Sequence, residues 1–139
     1  MKVIVHVDGG ARGNPGPGAA AAVISSPEGE VLAEHAELLG TVTNNVAEYR
    51  ALLLGLAQAR ELGAREVEVV GDSELIAKQV RGVYKVKHEA MKPLHREAKA
   101  ALGQFARWSI RTVPRAQNAH ADALVNAALD GKPASLSID

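Results

Sequence analysis

Val3-Ile4-Val5-His6-Val7-Asp8-Gly9-Gly10-Ala11-Arg12-Gly13-Asn14-Pro15-Gly16-Pro17-Gly18 is the stretch on which the fold turns. Residues 3–7 form a β-branched run with the character of a buried strand. The five glycines and two prolines between Gly9 and Gly18 then make a turn-forming loop. Asp8 stands at the junction, closing a hydrophobic strand, and neither Val7 nor Gly9 offers it an evident partner.

Working outward, residues 19–25 read as a strand of small residues, and Pro27-Glu28-Gly29 as a turn into a third strand over 31–39. Short connections make these three a meander. Thr43-Asn44-Asn45 supplies cap residues for a helix whose apolar positions Tyr49, Leu52, Leu53, Leu56 and Ala57 follow helical spacing, with Gly63 as its stop. The alternation over 66–70 predicts a fourth strand. Asp72-Ser73 caps a helix reaching about Val80, residues 90–105 read as a third helix, 109–113 as a fifth strand and 118–129 as a final helix. The order βββαβααβα, with helices between later strands, predicts an α/β fold on a mixed five-stranded sheet. Residues 1–130 are expected to form one domain and 131–139 a flexible tail, a place where a second domain would join.

The 139 residues suit a single hydrophobic core, and with aromatics scarce it must be built from Ala, Val, Leu and Ile. The chain holds no cysteine, which excludes disulfides, thiolate metal sites and Cys nucleophiles and fits a reducing, cytoplasmic setting. The opening run carries His6 and stops at Asp8, unlike a signal peptide. No apolar stretch approaches the roughly 20 residues of a membrane helix. A monomer is the default expectation.

A net charge of zero conceals an uneven distribution. Residues 1–80 hold 6 Lys/Arg against 11 Asp/Glu, residues 81–115 hold 9 against 2, and residues 116–139 hold 1 against 3. A basic stretch inside an acidic remainder can bind a polyanion locally, although a solvated helix face would look the same.

Four acids sit where solvation explains them poorly: Asp8 at a strand end, Glu48 in the first turn of a helix, Asp72 at the end of the fourth strand, and Asp122 early in the last helix. Strand carboxyl ends and helix amino ends gather along one edge of an open α/β sheet. Each also has a plainer reading. Glu48 could complete a capping box with Asn45, Asp72 could be a helix cap, and Asp122 a favourable charge near a helix start. Convergence would change the balance, because clustered carboxylates persist only when cations or shifted protonation offset their repulsion. An all-oxygen donor set selects hard cations, Mg²⁺ or Mn²⁺. Two such ions about 3.5–4 Å apart suit phosphodiester hydrolysis. The sequence has no P-loop, no dinucleotide-binding fingerprint and no zinc-binding histidine spacing.

Residues 7–16 resemble the opening strand and loop of type 1 ribonuclease H. Thr43-Asn44-Asn45-Val46-Ala47-Glu48-Tyr49 resembles the second motif of that family, Gly71-Asp72-Ser73 the third, and Asn118-Ala119-His120-Ala121-Asp122-Ala123-Leu124 the fourth, in order and spacing, over about residues 1–130. The resemblance implies a ribonuclease H-like fold with helices on both sheet faces, and an endonuclease that hydrolyses the RNA strand of RNA–DNA hybrids by a two-metal-ion mechanism, leaving 5′-phosphate and 3′-hydroxyl ends. It assigns Asp8, Glu48, Asp72 and Asp122 as ligands to two Mg²⁺ ions, with Mn²⁺ as substitute. It gives Asn14, Thr43, Asn44 and Asn45 substrate contacts and lets Gly9 and Gly10 admit the RNA backbone.

Two departures stand out. Where many members carry a loop histidine, Arg115 stands near the matching place, read as a phosphate-backbone contact, and His120 is off register. An extra basic helix has no room between Arg81 and Lys99, so Tyr84, Lys85, Lys87 and Lys92 are the local candidates to grip the DNA strand. The arrangement is similar to a short archaeal and actinobacterial subgroup, some of whose members also cut double-stranded RNA. Two other functions stay open: a binding module on the same fold, and a resolvase- or integrase-like nuclease.

Overall fold

The computed structural model describes residues 1–131, so most of the expected tail, 132–139, lies outside the described residues. The chain runs through β1 (Lys2–Ala11), β2 (Gly16–Ser25), β3 (Val31–Val42), α1 (Asn44–Glu61), β4 (Glu66–Gly71), α2 (Glu74–Val80), α3 (Lys92–Leu102), β5 (Arg107–Thr112) and α4 (Ala119–Leu129). Short 3-10 turns at Glu89–Met91 and Arg115–Asn118 lead into α3 and α4. The strands form one sheet in the order β3-β2-β1-β4-β5. β1/β2 and β2/β3 are antiparallel, whereas β1/β4 and β4/β5 are parallel. The sheet is therefore mixed, in the anticipated element order. No helix among the described residues is long and apolar enough to cross a membrane.

Strand alternation distributes the core between two faces. Val3, Val5 and Val7 of β1 join Tyr49, Leu52 and Leu56 of α1 and Leu102 of α3 on one side. Ala19, Ala21 and Val23 of β2 meet Ala121, Leu124 and Val125 of α4 on the other. Small residues bring the layers close. A Cβ at Gly55 would lie 2.6 Å from Val5 Cγ1, so α1 packs directly against β1.

Several boundaries differ from the sequence reading. β1 does not stop at Asp8: it continues to Ala11, pairing Asp8 with Ala21, Gly9 with Ala20 and Gly10 with Ala19. Backbone pairing with β2 needs no side chain, so the glycines stay in the strand and the turn shrinks to 12–15. α3 begins at Lys92 rather than residue 90, after the 3-10 turn, so that Pro93 falls in the first helical turn where its missing N–H costs nothing. It ends before Gly103, short of residue 105. β5 starts two residues early, at Arg107, where it pairs with Glu66.

The divergence of β1 from β4 makes room for a site. Their parallel pairing ends at His6 and Val70. Beyond it β1 stays with β2, and a crevice opens at the strand carboxyl ends, where ligands bind in α/β sheets.

Candidate active site

The crevice collects the acids. Asp8, Glu48 and Asp72 offer carboxylate oxygens that all lie within 4.8 Å of one another. Asp122 lines the same cleft, of about 620 Å³, together with Gly9, Gly10, Arg12, Asn44, Arg115 and Asn126. Asp8 is the most enclosed, 6 % exposed, and the charges of Asp72 and Asp122 act on its carboxyl.

The plainer readings of two of these acids, Glu48 and Asp72, do not match the geometry. The cap of α1 is Thr43, whose Oγ1 accepts from the Val46 amide at 3.2 Å. Glu48 lies beyond the first turn rather than in it. The cap of α2 is Ser73, whose Oγ accepts from the Ile76 amide at 3.2 Å, which frees Asp72 from that task. Asp122 does lie in the first turn of α4, so a favourable interaction with the helix end accompanies its place in the cleft.

Crowding these acids has an electrostatic consequence. Two carboxylates 4.8 Å apart repel by roughly 3–4 kcal/mol at an effective dielectric near 20. Burial, then the charges of Asp72 and Asp122, push the Asp8 carboxyl up to about 7. Burial and the charge of Asp8 hold Glu48 well above the usual carboxylate range, and burial also raises Asp72. Arg115 offsets part of this, donating from Nη2 to Asp122 Oδ1 at 3.1 Å. That side chain is 76 % exposed, so the pair is weak and a cation or phosphate can displace it. The donor set is all carboxylate, without nitrogen or sulfur, and fits a hard divalent cation.

The other candidates divide into two groups. Near the acids, Asn44 Oδ1 accepts from the Ala11 amide at 2.9 Å, and Asn14 Oδ1 accepts from the Asn44 amide at 3.0 Å. These bonds tie the β1–β2 turn to the start of α1, and they fix each amide's orientation because the partners are backbone donors. Asn45 is half-buried at the same helix start. Gly9 and Gly10 part company: a Cβ on Gly9 would fall 2.1 Å from the Ala47 carbonyl oxygen, whereas one on Gly10 would meet nothing within 4 Å. Gly9 answers to helix packing, and Gly10 leaves open space.

Away from the acids, Lys85, Tyr84, Lys92 and Arg96 line a separate groove of about 520 Å³ that shares no residue with the acidic cleft. Tyr84 is exposed, with Lys78 over its ring at 5.1 Å. Lys87 is exposed on the same segment without lining the groove. His120 does not point to the cleft; it bonds Glu34 on β3.

Sequence reasoning missed a network at the cleft rim. Arg12 Nη1 donates to Asp130 Oδ1 at 2.6 Å and Nη2 to Asn126 Oδ1 at 3.3 Å, while Asn126 Nδ2 donates to the Asp122 carbonyl at 3.1 Å. The β1–β2 turn is thereby latched to the last turn of α4. A lone arginine among glycines was the available signal.

Comparison with known proteins agrees with this picture. Residues 6–128 match the family model described as "Reverse transcriptase-like". The chain is 46 % identical over 140 residues to a bifunctional protein of Mycobacterium tuberculosis, a match that takes in 100 % of this chain and 38 % of that protein. The chain thus spans little more than a third of that relative's length. Among solved structures, the RNase H1 of the halophilic archaeon Halobacterium salinarum superposes with a TM-score of 0.92 at 41 % identity, covering 94 % of this chain and 99 % of that one. LC11-RNase H1, solved in complex with an RNA/DNA hybrid, gives 0.88 at 41 % identity over 93 % and 97 % of the two chains. Fold, motif order and these likenesses agree, and the chain belongs to the type 1 ribonuclease H family.

Proposed function

We propose that the chain is an endoribonuclease that hydrolyses the RNA strand of RNA–DNA hybrids, with Asp8, Glu48, Asp72 and Asp122 holding two Mg²⁺ ions, or Mn²⁺ in their place. The observation that carries this reading is the gathering of acids from β1, α1, β4 and α4 in one crevice with no structural task that accounts for all of them. The chemistry that such a pair of ions would supply is activation of a water and stabilisation of the departing oxygen. In the hydrolysis a water oxygen would bond to phosphorus as the bond to the 3′-oxygen breaks, with a proton from the water ending on that oxygen, so the products are a 5′-phosphate and a 3′-hydroxyl.

The remaining residues then have defined tasks. Gly10 gives the RNA backbone room beside the acids. Asn14 and Asn44 use their carbonyl oxygens to brace the turn, which leaves their NH₂ groups as donors to 2′-hydroxyls and phosphates. Thr43 and Asn45 stand at the same helix start. Arg115 exchanges Asp122 for a phosphate of the backbone. The Lys85 groove, with Lys87 beside it, holds the DNA strand, and the solved complex of LC11-RNase H1 with a hybrid supports that class of substrate.

The test is an incubation with Mg²⁺ and labelled RNA–DNA, RNA–RNA and DNA–DNA duplexes. RNA-strand cutting of the hybrid, abolished in Asp8→Asn, is the expected result. Cutting of DNA–DNA, or of no duplex, refutes it.

A further inference from the structure

Asn118 is 1 % exposed, a depth at which an asparagine needs partners for every polar atom. Its Nδ2 donates to the carbonyl of Val7 at 2.8 Å, across 111 residues of sequence. Its Oδ1 is buried and has no hydrogen-bond partner among the described residues. The residue stands at the start of α4, where an asparagine ordinarily accepts a bond from the helix amides, yet it makes no such cap bond. The side chain is committed to the sheet instead.

The reason lies in the fork between the strands. Parallel pairing of β1 with β4 ends at His6 and Val70, so the next carbonyl of β1 on that side, Val7, has lost its strand partner. That carbonyl faces β4, since a Cβ on Gly71 would lie 3.6 Å from it. Asn118 supplies the missing donor. The peptide it holds is the one that joins Val7 to Asp8, and four residues further along its own chain comes Asp122. One amide therefore fixes the part of β1 that carries Asp8 to the helix start that carries Asp122, two acids that line one cleft.

We propose that Asn118 is a positioning residue for the acidic site, setting the separation of Asp8 and Asp122 through its bond to the Val7 carbonyl. The inference rests on the proposed metal-binding role of those acids. It concerns a residue that touches neither substrate nor cation. Its unpartnered Oδ1 is the atom that a buried water would serve, as buried polar atoms of this kind commonly require.

Two variants test this in the full chain. Asn118→Ala removes the side chain, and Asn118→Leu keeps its branched four-atom outline, in a larger volume, without a donor or a charge, as a second variant should the first not fold. Mn²⁺ binding is measured by calorimetry without substrate, and kcat and KM on an RNA–DNA hybrid are measured separately. Loss of a supporting bond of this kind typically costs about 10–100-fold in metal affinity or activity. The expected result is a fall of about tenfold or more in Mn²⁺ affinity and in kcat, with KM within about twofold, in protein whose circular dichroism is that of the parent. Mn²⁺ affinity within twofold of the parent in a folded variant overturns the proposal, as does a loss confined to KM. If the parent itself cuts no hybrid, the functional reading fails, and the Mn²⁺ comparison still decides the role of Asn118.

Discussion

At the scale of single residues, Asp8 carries the most unusual chemistry. Its carboxyl is pushed up to about 7 by burial first and by its acidic neighbours second. In the unfolded chain it titrates near 4, so between those values the folded state binds the extra proton. Stability without metal is then fully present at low pH and is lost as pH rises through about 7. Glu48 and Asp72, also raised, act in the same sense. His6, lowered by burial, opposes them over part of that range, one group against three. Glu68 is held down by Arg111, so its contribution disappears only as pH falls below the ordinary carboxylate range. The expected outcome is a metal-free melting temperature that declines by several degrees from pH 5 to pH 8 and recovers on adding Mg²⁺ at pH 8. Asp8→Asn should flatten the decline and leave the melting temperature at pH 8 unchanged or higher. Scanning calorimetry in chelator checks both, and a melting temperature that climbs over this range would contradict the arrangement.

At the scale of elements, the β1–β2 hairpin and α1 must approach one another for Glu48 to reach Asp8. Gly9 permits this because its missing Cβ is where the Ala47 carbonyl sits. Gly9→Ala should push α1 off β1, lowering the melting temperature and weakening Mn²⁺ binding together. Gly10→Ala, with open space above it, should leave both intact and raise KM for a hybrid. Equal effects from the two substitutions would refute the distinction, and thermal melts with calorimetric titration separate them. The sequence could not tell these glycines apart, because the difference lies in a helix 38 residues further on. It did reveal the element order, since β-branched runs, helical spacing and turn residues are local properties. The gathering of the acids was legible in part: Asp72 follows the end of β4 and Asp122 stands in the first turn of α4, whereas Asp8 lies within β1 and Glu48 past the first turn of α1. What stayed hidden was tertiary. β1 runs past Asp8 because β2 pairs with it, Thr43 and Ser73 rather than the neighbouring candidates cap α1 and α2, and Asn118 meets Val7 only in the folded chain.

Across the whole molecule, a net charge of zero separates into an acidic cleft and a basic groove that share no lining residue. A uniformly neutral protein would have little attraction for a duplex, and the acids alone would repel one. Under the proposed function, binding would depend on cations offsetting the cleft and on the groove lined by Lys85, Lys92 and Arg96 holding backbone phosphates. Each phosphate neutralised by lysine releases counterions and steepens the salt dependence by roughly 0.9 in log–log slope. If Lys85 and Lys87 each contact one phosphate, replacing both with Ala should flatten the slope by about two units, and replacing either should flatten it by about one. The loss should appear as weaker binding at low salt that converges on the parent as salt rises. Turnover at saturating hybrid should stay near the parent value, because the acids belong to a different cleft. Equilibrium binding to a hybrid over a salt series, alongside kcat at saturation, measures both quantities. A slope unchanged by the double substitution would remove these lysines from the interface, while a collapse of kcat at saturation would mean that the groove and the cleft are not separate devices.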